Sequence, residues 1–123
     1  MPERQAFGVL LISGGHERGH YAFVLATAAA ALGREAVLFA TNAGITALAK
    51  KTDETEERRL RDIGVATLAE LRDAAVDLGV RQIACEAGLR IAQLSAEMLL
   101  PGVEVAGVAT FLASVGQGQI VTI

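Results

Sequence analysis

The chain has 123 residues, a formal net charge of −3 and a single cysteine, which fits one compact domain, residues 1–123. The acidic balance argues against a nucleic-acid partner, and one cysteine cannot form an intrachain disulfide. No apolar run is long enough to cross a bilayer and no leader-like N-terminus is visible, so we expect a cytoplasmic protein without membrane contact. The apolar fraction of 52% indicates that another subunit covers part of the surface.

The first half of the chain alternates between strand and helix patterns. "AFGVLLISGG" and "EAVLFA" are apolar without alternation, which is typical of parallel strands buried on both faces. Between them, "HERGHYAFVLATAAAALG" predicts a helix that ends at Gly33. This helix is apolar nearly all round and is therefore expected to be buried. "TNAGITAL" then predicts a loop or the start of a short helix.

Residues 50–62, "KKTDETEERRLRD", are the one strongly charged stretch. Mixed charge of this kind predicts a solvated helical turn or a mobile surface loop. After it, Thr67 is placed to cap a helix, with Glu70 at the capping-box position. That helix is predicted to end at Gly79.

The second half continues the alternation. "VRQIAC", "VEVAG" and "QIVTI" predict three further strands. "EAGLRIAQLSAEMLLPG" is mostly helical, stopped by Pro101 and Gly102, and "VATFLASVGQG" is a short helix. The whole pattern predicts an α/β fold, a three-layer α/β/α sandwich with a mainly parallel five-stranded sheet, flavodoxin-like in appearance.

Cys85 is the sharpest candidate for chemistry because sites in open α/β sheets form at the carboxyl ends of strands. Between a strand end and a helix start, its thiolate would be stabilised by the helix dipole and unpaired N–H groups. Glu86 would raise the thiol pKa if its carboxylate is close. The alternative is an inert thiol that behaves as a small buried hydrophobe.

His16 and His20 lie in the loop after the first strand. If strands one and three are neighbours, His16 approaches Cys85 and stabilises its thiolate; otherwise both are solvated loop histidines. Two histidines four residues apart can share one helix face, but the usual third and fourth metal ligands are lacking, so we expect no metal. The backbone N–H groups of "SGGHERG", which contains Gly14 and Gly15, can hold an anion at the start of a helix. This stretch matches neither the Walker A nor the dinucleotide-binding fingerprint. We expect no cofactor.

The combined pattern resembles the DsrE/DsrF-like family of small sulfur-relay proteins. The resemblance rests on "GVLLIS", "YAFVLATAAAALGREAVLFATNAGITAL", "IAC" and "LPGVEVAGVATFL", in that order along nearly the whole chain. It implies an α/β/α domain that assembles into homo-oligomers, trimers or hexamers, or with related subunits.

The resemblance also implies a role for Cys85: it would carry a persulfide between a sulfur donor and an acceptor protein. We expect Gly88 to allow close approach of the backbone to Cys85, and His16 to be the nearest titratable side chain that assists it. The pocket is expected to be lined by Asn42, Gly107 and Thr110. Two alternatives stay open. One is a small-anion or nucleotide-binding module at residues 13–19, and the other is a non-catalytic oligomeric subunit.

Overall fold

A computed structural model of the protein describes residues 5–123. Residues 1–4, which belong to the predicted single domain and to the predicted leaderless N-terminus, lie outside the described residues. The strands are β1 (Phe7–Leu11), β2 (Ala36–Ala40), β3 (Arg81–Cys85), β4 (Glu104–Ala106) and β5 (Gln119–Thr122). The α-helices are α1 (His16–Ala31), α2 (Glu54–Asp62), α3 (Leu68–Asp77), α4 (Glu86–Ala92) and α5 (Val108–Val115). Two 3₁₀ helices span Asn42–Leu48 and Ala96–Met98.

The five strands form one parallel sheet in the order β4-β3-β2-β1-β5. This confirms the predicted sandwich and parallel sheet. The strand order differs from the 2-1-3-4-5 order of flavodoxins, so the likeness to flavodoxin stops at the layered architecture.

Strand order decides which face each helix covers, because parallel crossovers are right-handed. The chain steps in one direction from β1 to β4, which places α1, α3 and α4 on one face. It then returns across the whole sheet to β5, which places α5 on the opposite face. Two separate clusters of buried side chains follow. The larger contains residues of α1, α3 and α4, and the smaller joins Phe111 and Val115 of α5 to β2 and β3.

The smaller core depends on one helix. Phe111 stacks on Phe39 of β2 at a centroid distance of 5.2 Å, and Gly8 leaves the space that Phe111 and Val115 fill. At the amino end of the sheet, Arg81 bonds both Glu104 of β4 and Ser114 of α5. The short strand β4 and helix α5 are therefore both tied to β3.

Two helical predictions need correction. Helix α1 buries one face only, because Tyr21, Ala28 and Ala31 are exposed, so it is not buried all round. Helix α4 ends at Ala92, where Gln93 adopts φ 56°, and the predicted long helix continues only as a 3₁₀ turn. Residues 54–62 form a regular helix, α2, so the helical one of the two predicted alternatives holds for them. The capping box at Thr67 is confirmed.

Helix α2 is also not simply solvated, because Glu57 and Leu60 face the interior. They lie three residues apart and so share one face of the helix. The interpretation of residues 50–62 as a solvated stretch is therefore wrong for Glu57, which is among the most buried side chains of the described residues.

Gly44 permits the 3₁₀ helix after β2 to lie against the end of β1. Its N–H bonds the carbonyl of Ile12 at 3.0 Å, and a Cβ at this position would lie 2.5 Å from the carbonyl oxygen of Leu11. Since backbone atoms cannot move aside cheaply, a side chain here would push the two segments apart.

We therefore expect Gly44→Ala to lower the free energy of unfolding by about 1–3 kcal/mol, the usual cost of overpacking. Urea unfolding followed by circular dichroism measures it. Gly107→Ala is the matched control, because its added Cβ meets nothing within 4 Å. The control should cost less than about 1 kcal/mol, the scale of a helix-cap change. Equal losses of unfolding free energy in the two variants would show that the close approach of Gly44 to the end of β1 is not the cause.

Candidate functional site

The sheet has a switch point between β3 and β4. The connection after β3 leads to α4 on one face, and the connection after β4 leads to α5 on the other. The carboxyl ends of such a strand pair open a crevice in which α/β proteins place their ligands. Cys85 is the last residue of β3 and pairs with Ala106, the last residue of β4. The only thiol of the chain thus lies at the switch point.

The Cys85 side chain is half-buried, and it packs against the smaller core on the α5 side of the sheet. Cys85 is also the N-cap residue of α4, with φ −63° and ψ 126°, and its side chain makes no capping hydrogen bond. The thiol is therefore positioned by both its strand and the following helix.

Asn42 and Gly88 come together with Cys85. A Cβ on Gly88 would lie 3.1 Å from the backbone nitrogen of Asn42 and 3.2 Å from Cβ of Cys85. Asn42 begins the 3₁₀ helix after β2 in a left-handed conformation, with φ 50°. The carboxyl ends of β2 and β3 therefore meet at Cys85, and a side chain at position 88 would crowd both segments.

The other predicted pocket residues flank this point. Gly107 is the N-cap residue of α5 at the end of β4, and its carbonyl accepts the N–H of Thr110 at 3.1 Å. Glu86 lies exposed in the first turn of α4, and its carboxylate forms an ion pair with Arg90 at 3.6 Å. The functional roles of Glu86, Gly107 and Thr110 remain predictions.

His16 has a different neighbour from the one predicted. The hypothesis that His16 assists Cys85 required β1 and β3 to be adjacent, but β2 lies between them. Nε2 of His16 instead bonds Oε2 of Glu57 at 2.8 Å. The His16 side chain is only 6% exposed, so it is not a solvated loop histidine either.

His20 accompanies His16 on the same side of α1. The two rings stack with centroids 6.0 Å apart, and Nε2 of His20 bonds the carbonyl of Ala66 at 2.8 Å. Among residues 5–123, no group of three or more histidine, cysteine or acidic side chains is placed to hold a metal ion.

Glu57 is the residue that sequence reasoning missed. Its side chain is 2% exposed, and beside His16 it accepts the peptide N–H groups of Leu68 and Ala69 at 2.8 and 2.9 Å. Burial raises the pKa of this carboxyl, but the hydrogen bonds from His16, Ala69 and Leu68 outweigh burial, and the pKa lies below its ordinary value of 4.5. The carboxylate is therefore ionised at neutral pH. The only signal in the sequence was the spacing of Glu57 and Leu60.

Gly14 and Gly15 lie in a different place from Cys85. They line a cleft of about 670 Å³ at the start of α1, together with His16, Glu17, Arg18, Tyr21, Leu25 and Ile123. Cys85 does not line this cleft. The glycine-rich loop and the thiol are therefore two separate candidate sites.

Comparison with known proteins gives consistent matches over nearly the whole chain. The model of the DsrE/DsrF-like family matches residues 5–123. The sulfur carrier protein DsrE2 of Allochromatium vinosum is 23% identical, and the match covers 96% of this chain and 97% of that protein.

Two solved structures share the fold. The ychN protein from E. coli superposes with a TM-score of 0.75 at 15% identity, covering 97% of this chain and 99% of its own. MTH1491 from Methanobacterium thermoautotrophicum, a protein of unknown function, superposes with a TM-score of 0.65 at 16% identity, covering 97% of this chain and 100% of its own. Among residues 5–123, no helix is both long and apolar enough to span a membrane.

The bonds to Glu57 lead to a test of stability against pH. We expect Glu57→Gln to lower the free energy of unfolding at neutral pH by about 2–4 kcal/mol, since a neutral amide replaces a buried carboxylate that accepts three hydrogen bonds. Because the folded-state pKa of Glu57 lies below 4.5, this contribution is complete above pH 4.5 and is lost as the pH falls through the folded-state pKa. The difference between wild type and variant should therefore shrink in acid.

Glu56→Gln is the control, since Glu56 lies on the same helix and pairs with Arg59 at the surface. Its effect on unfolding by urea should stay within about 1 kcal/mol at every pH, as for other exposed pairs. A difference in the free energy of unfolding between wild type and Glu57→Gln that stays constant down to pH 3 would contradict an ionised, hydrogen-bonded Glu57 carboxylate.

Proposed function

The chain belongs to the DsrE/DsrF-like family, and from this we propose that it is a sulfur-relay protein that carries sulfane sulfur as a persulfide on Cys85. The observation that carries the proposal is the position of the only thiol at the switch point between β3 and β4. The name of the Allochromatium vinosum relative, a sulfur carrier protein, supports the same role.

The relay requires two exchange steps at one sulfur. In the first, the Cys85 thiolate attacks the outer sulfur of a donor persulfide, a bond to that sulfur forms, and the donor leaves as a thiolate. In the second, an acceptor thiolate attacks the outer sulfur of the Cys85 persulfide and Cys85 leaves as a thiolate. Sulfane sulfur moves from thiol to thiol, and neither step needs an external oxidant or reductant.

The surroundings of Cys85 suit a carrier. The chain has no second cysteine that could displace the sulfur and close an internal disulfide. The crowding of Asn42 and Gly88 against Cys85 confines one side of the thiol, while its partial exposure leaves the other side for a partner. Since carriers hold a free thiol, we place the protein in a reducing compartment, the cytoplasm.

The outer face of α5 supports a proposal about assembly. Val108 and Leu112 lie one helical turn apart and are 50% and 52% exposed. Among residues 5–123, α5 is the helix whose side chains pack in the core on this face of the sheet. We propose that copies of this chain, or related subunits, meet on this surface to form a trimer or hexamer close to the Cys85 site.

The persulfide is tested by the intact mass of the protein after brief exposure to polysulfide without reductant. We expect the native protein to gain the mass of one or more sulfur atoms, to lose it on treatment with dithiothreitol, and to show no gain as Cys85→Ser. A thiol that neither gains sulfur nor reacts with a thiol reagent until the protein is denatured would rule the carrier function out.

The assembly is tested by light scattering coupled to size-exclusion chromatography. We expect Leu112→Glu to reduce the assembly mass, because a carboxylate in an apolar contact is left unpaired. Leu32→Glu is the matched control, since Leu32 is 64% exposed at the far end of α1. Loss of assembly in both variants, or in neither, would contradict the assignment to α5.

A further inference from the structure

A cavity of about 270 Å³ lies beside α3, and we call it the α3 cavity. Its walls are one side of α3, Gln82 of β3, and Leu100 and Pro101 in the segment before β4. Cys85 does not line it, and none of its lining residues has a part in the sulfur relay. The cavity is smaller than the sites of drug-sized ligands, so it suits a small molecule.

The walls of the α3 cavity follow from helix and strand periodicity. Four lining residues are spaced three or four positions apart and form one stripe along α3: Ala69, Arg72, Asp73 and Val76. Ile83 of β3 packs in the smaller core on the α5 side of the sheet. Because side chains alternate along a strand, Gln82 faces the opposite side, where α3 lies. The stripe and Gln82 therefore meet between helix and sheet.

Two buried polar atoms on these walls lack a hydrogen-bond partner within the part of the chain that the structure describes. They are Nε of Arg72 and Oε1 of Gln82, and these residues are 6% and 7% exposed. Since neither atom has a partner, the two are not bonded to each other. One cavity therefore contains an unpaired N–H donor and an unpaired carbonyl acceptor, and leaving such groups buried and unpaired is costly.

The guanidinium of Arg72 is held in place by the backbone. Its Nη1 donates to the carbonyls of Ala47 and Ala49 at 3.2 and 2.8 Å. The N–H of Leu100 bonds the carbonyl of Leu48, in the same segment, at 2.9 Å. Arg72 and the Leu100 wall are thus anchored to one piece of chain, and the cavity is formed before any ligand arrives.

The charge of Arg72 is already offset by the protein. Burial lowers the pKa of this guanidinium, whereas the negative charges of Glu57 and Asp73 oppose that effect. Arginine stays protonated at neutral pH in any case. Asp73 also lines the cavity, where its carboxylate repels an anion. A neutral ligand is therefore favoured over an oxyanion.

We propose that the α3 cavity binds a small neutral molecule through a carboxamide group. The carboxamide oxygen accepts from the Nε–H of Arg72, and the carboxamide N–H donates to Oε1 of Gln82. One group then satisfies both buried atoms, which a carboxylate cannot do because it has only acceptors. The body of the ligand lies against Val76, Leu100 and Pro101, and Val76 is 62% exposed.

Benzamide and benzoate are matched probes, since they share one shape and differ in charge and in the N–H donors. Titration of the ¹⁵N-labelled protein at neutral pH is followed by NMR through the Nε–H resonance of Arg72. We expect benzamide to shift this resonance saturably and to bind at least about tenfold more tightly than benzoate, the effect of one unpaired buried acceptor. Benzoate that binds as tightly as benzamide, or benzamide that causes no saturable shift, would overturn the proposal.

Gln82→Met removes the acceptor and keeps a side chain of similar length. We expect it to weaken benzamide binding about tenfold and to raise the melting temperature of the free protein, because an unpaired buried oxygen is lost. Gln117→Met is the matched control, since Gln117 is exposed in the turn before β5, and it should change neither quantity. Cys85→Ser should bind benzamide as wild type does, which separates this site from the relay. A lower melting temperature for Gln82→Met, or unchanged benzamide binding, would refute the assigned contact.

Discussion

The carboxylate of Glu57 fixes three helices that the sheet alone does not fix. It belongs to α2, accepts the first two peptide N–H groups of α3, and holds His16 at the start of α1. The segment between β2 and β3 is the longest connection in the described chain and contains two of these helices. Because a buried carboxylate without partners is costly, each of the three bonds constrains the others. The start of α1 and the route of the chain over the sheet are thus set together.

The strand order has an equally direct effect on chemistry. With β2 between β1 and β3, the loop after β1 and the loop after β3 are kept apart, and each acquires its own set of neighbours. His16 belongs to the Glu57 cluster, while Cys85 belongs to the crevice beside α5. The loop after β1 and the loop after β3 therefore belong to two groups of residues that do not overlap.

Local signals were sufficient to predict the elements but not the contacts between distant ones. The strands follow from apolar runs bounded by glycine, and the start of α3 follows from the Thr67–Glu70 capping box. The positions of Asn42 and Cys85 at the carboxyl ends of strands could be predicted, whereas their contact depends on β2 and β3 being neighbours. The hydrogen-bond partner of His16 could not be predicted, because it depends on strand order and on the burial of a charged residue 41 positions away. Charged residues are normally exposed, so composition predicted the opposite for Glu57.

The sheet ends in short strands, β4 with three residues and β5 with four. On β4, Glu104 is engaged by Arg81, so a charged pair occupies this border. Edges that are short and charged are poor templates for a further strand from another chain. Growth of the sheet from one molecule into the next is therefore disfavoured at β4, and the protein is protected there against edge-to-edge aggregation. Any contact between copies on this side of the molecule therefore falls to the helical faces, which can be covered without extending the sheet.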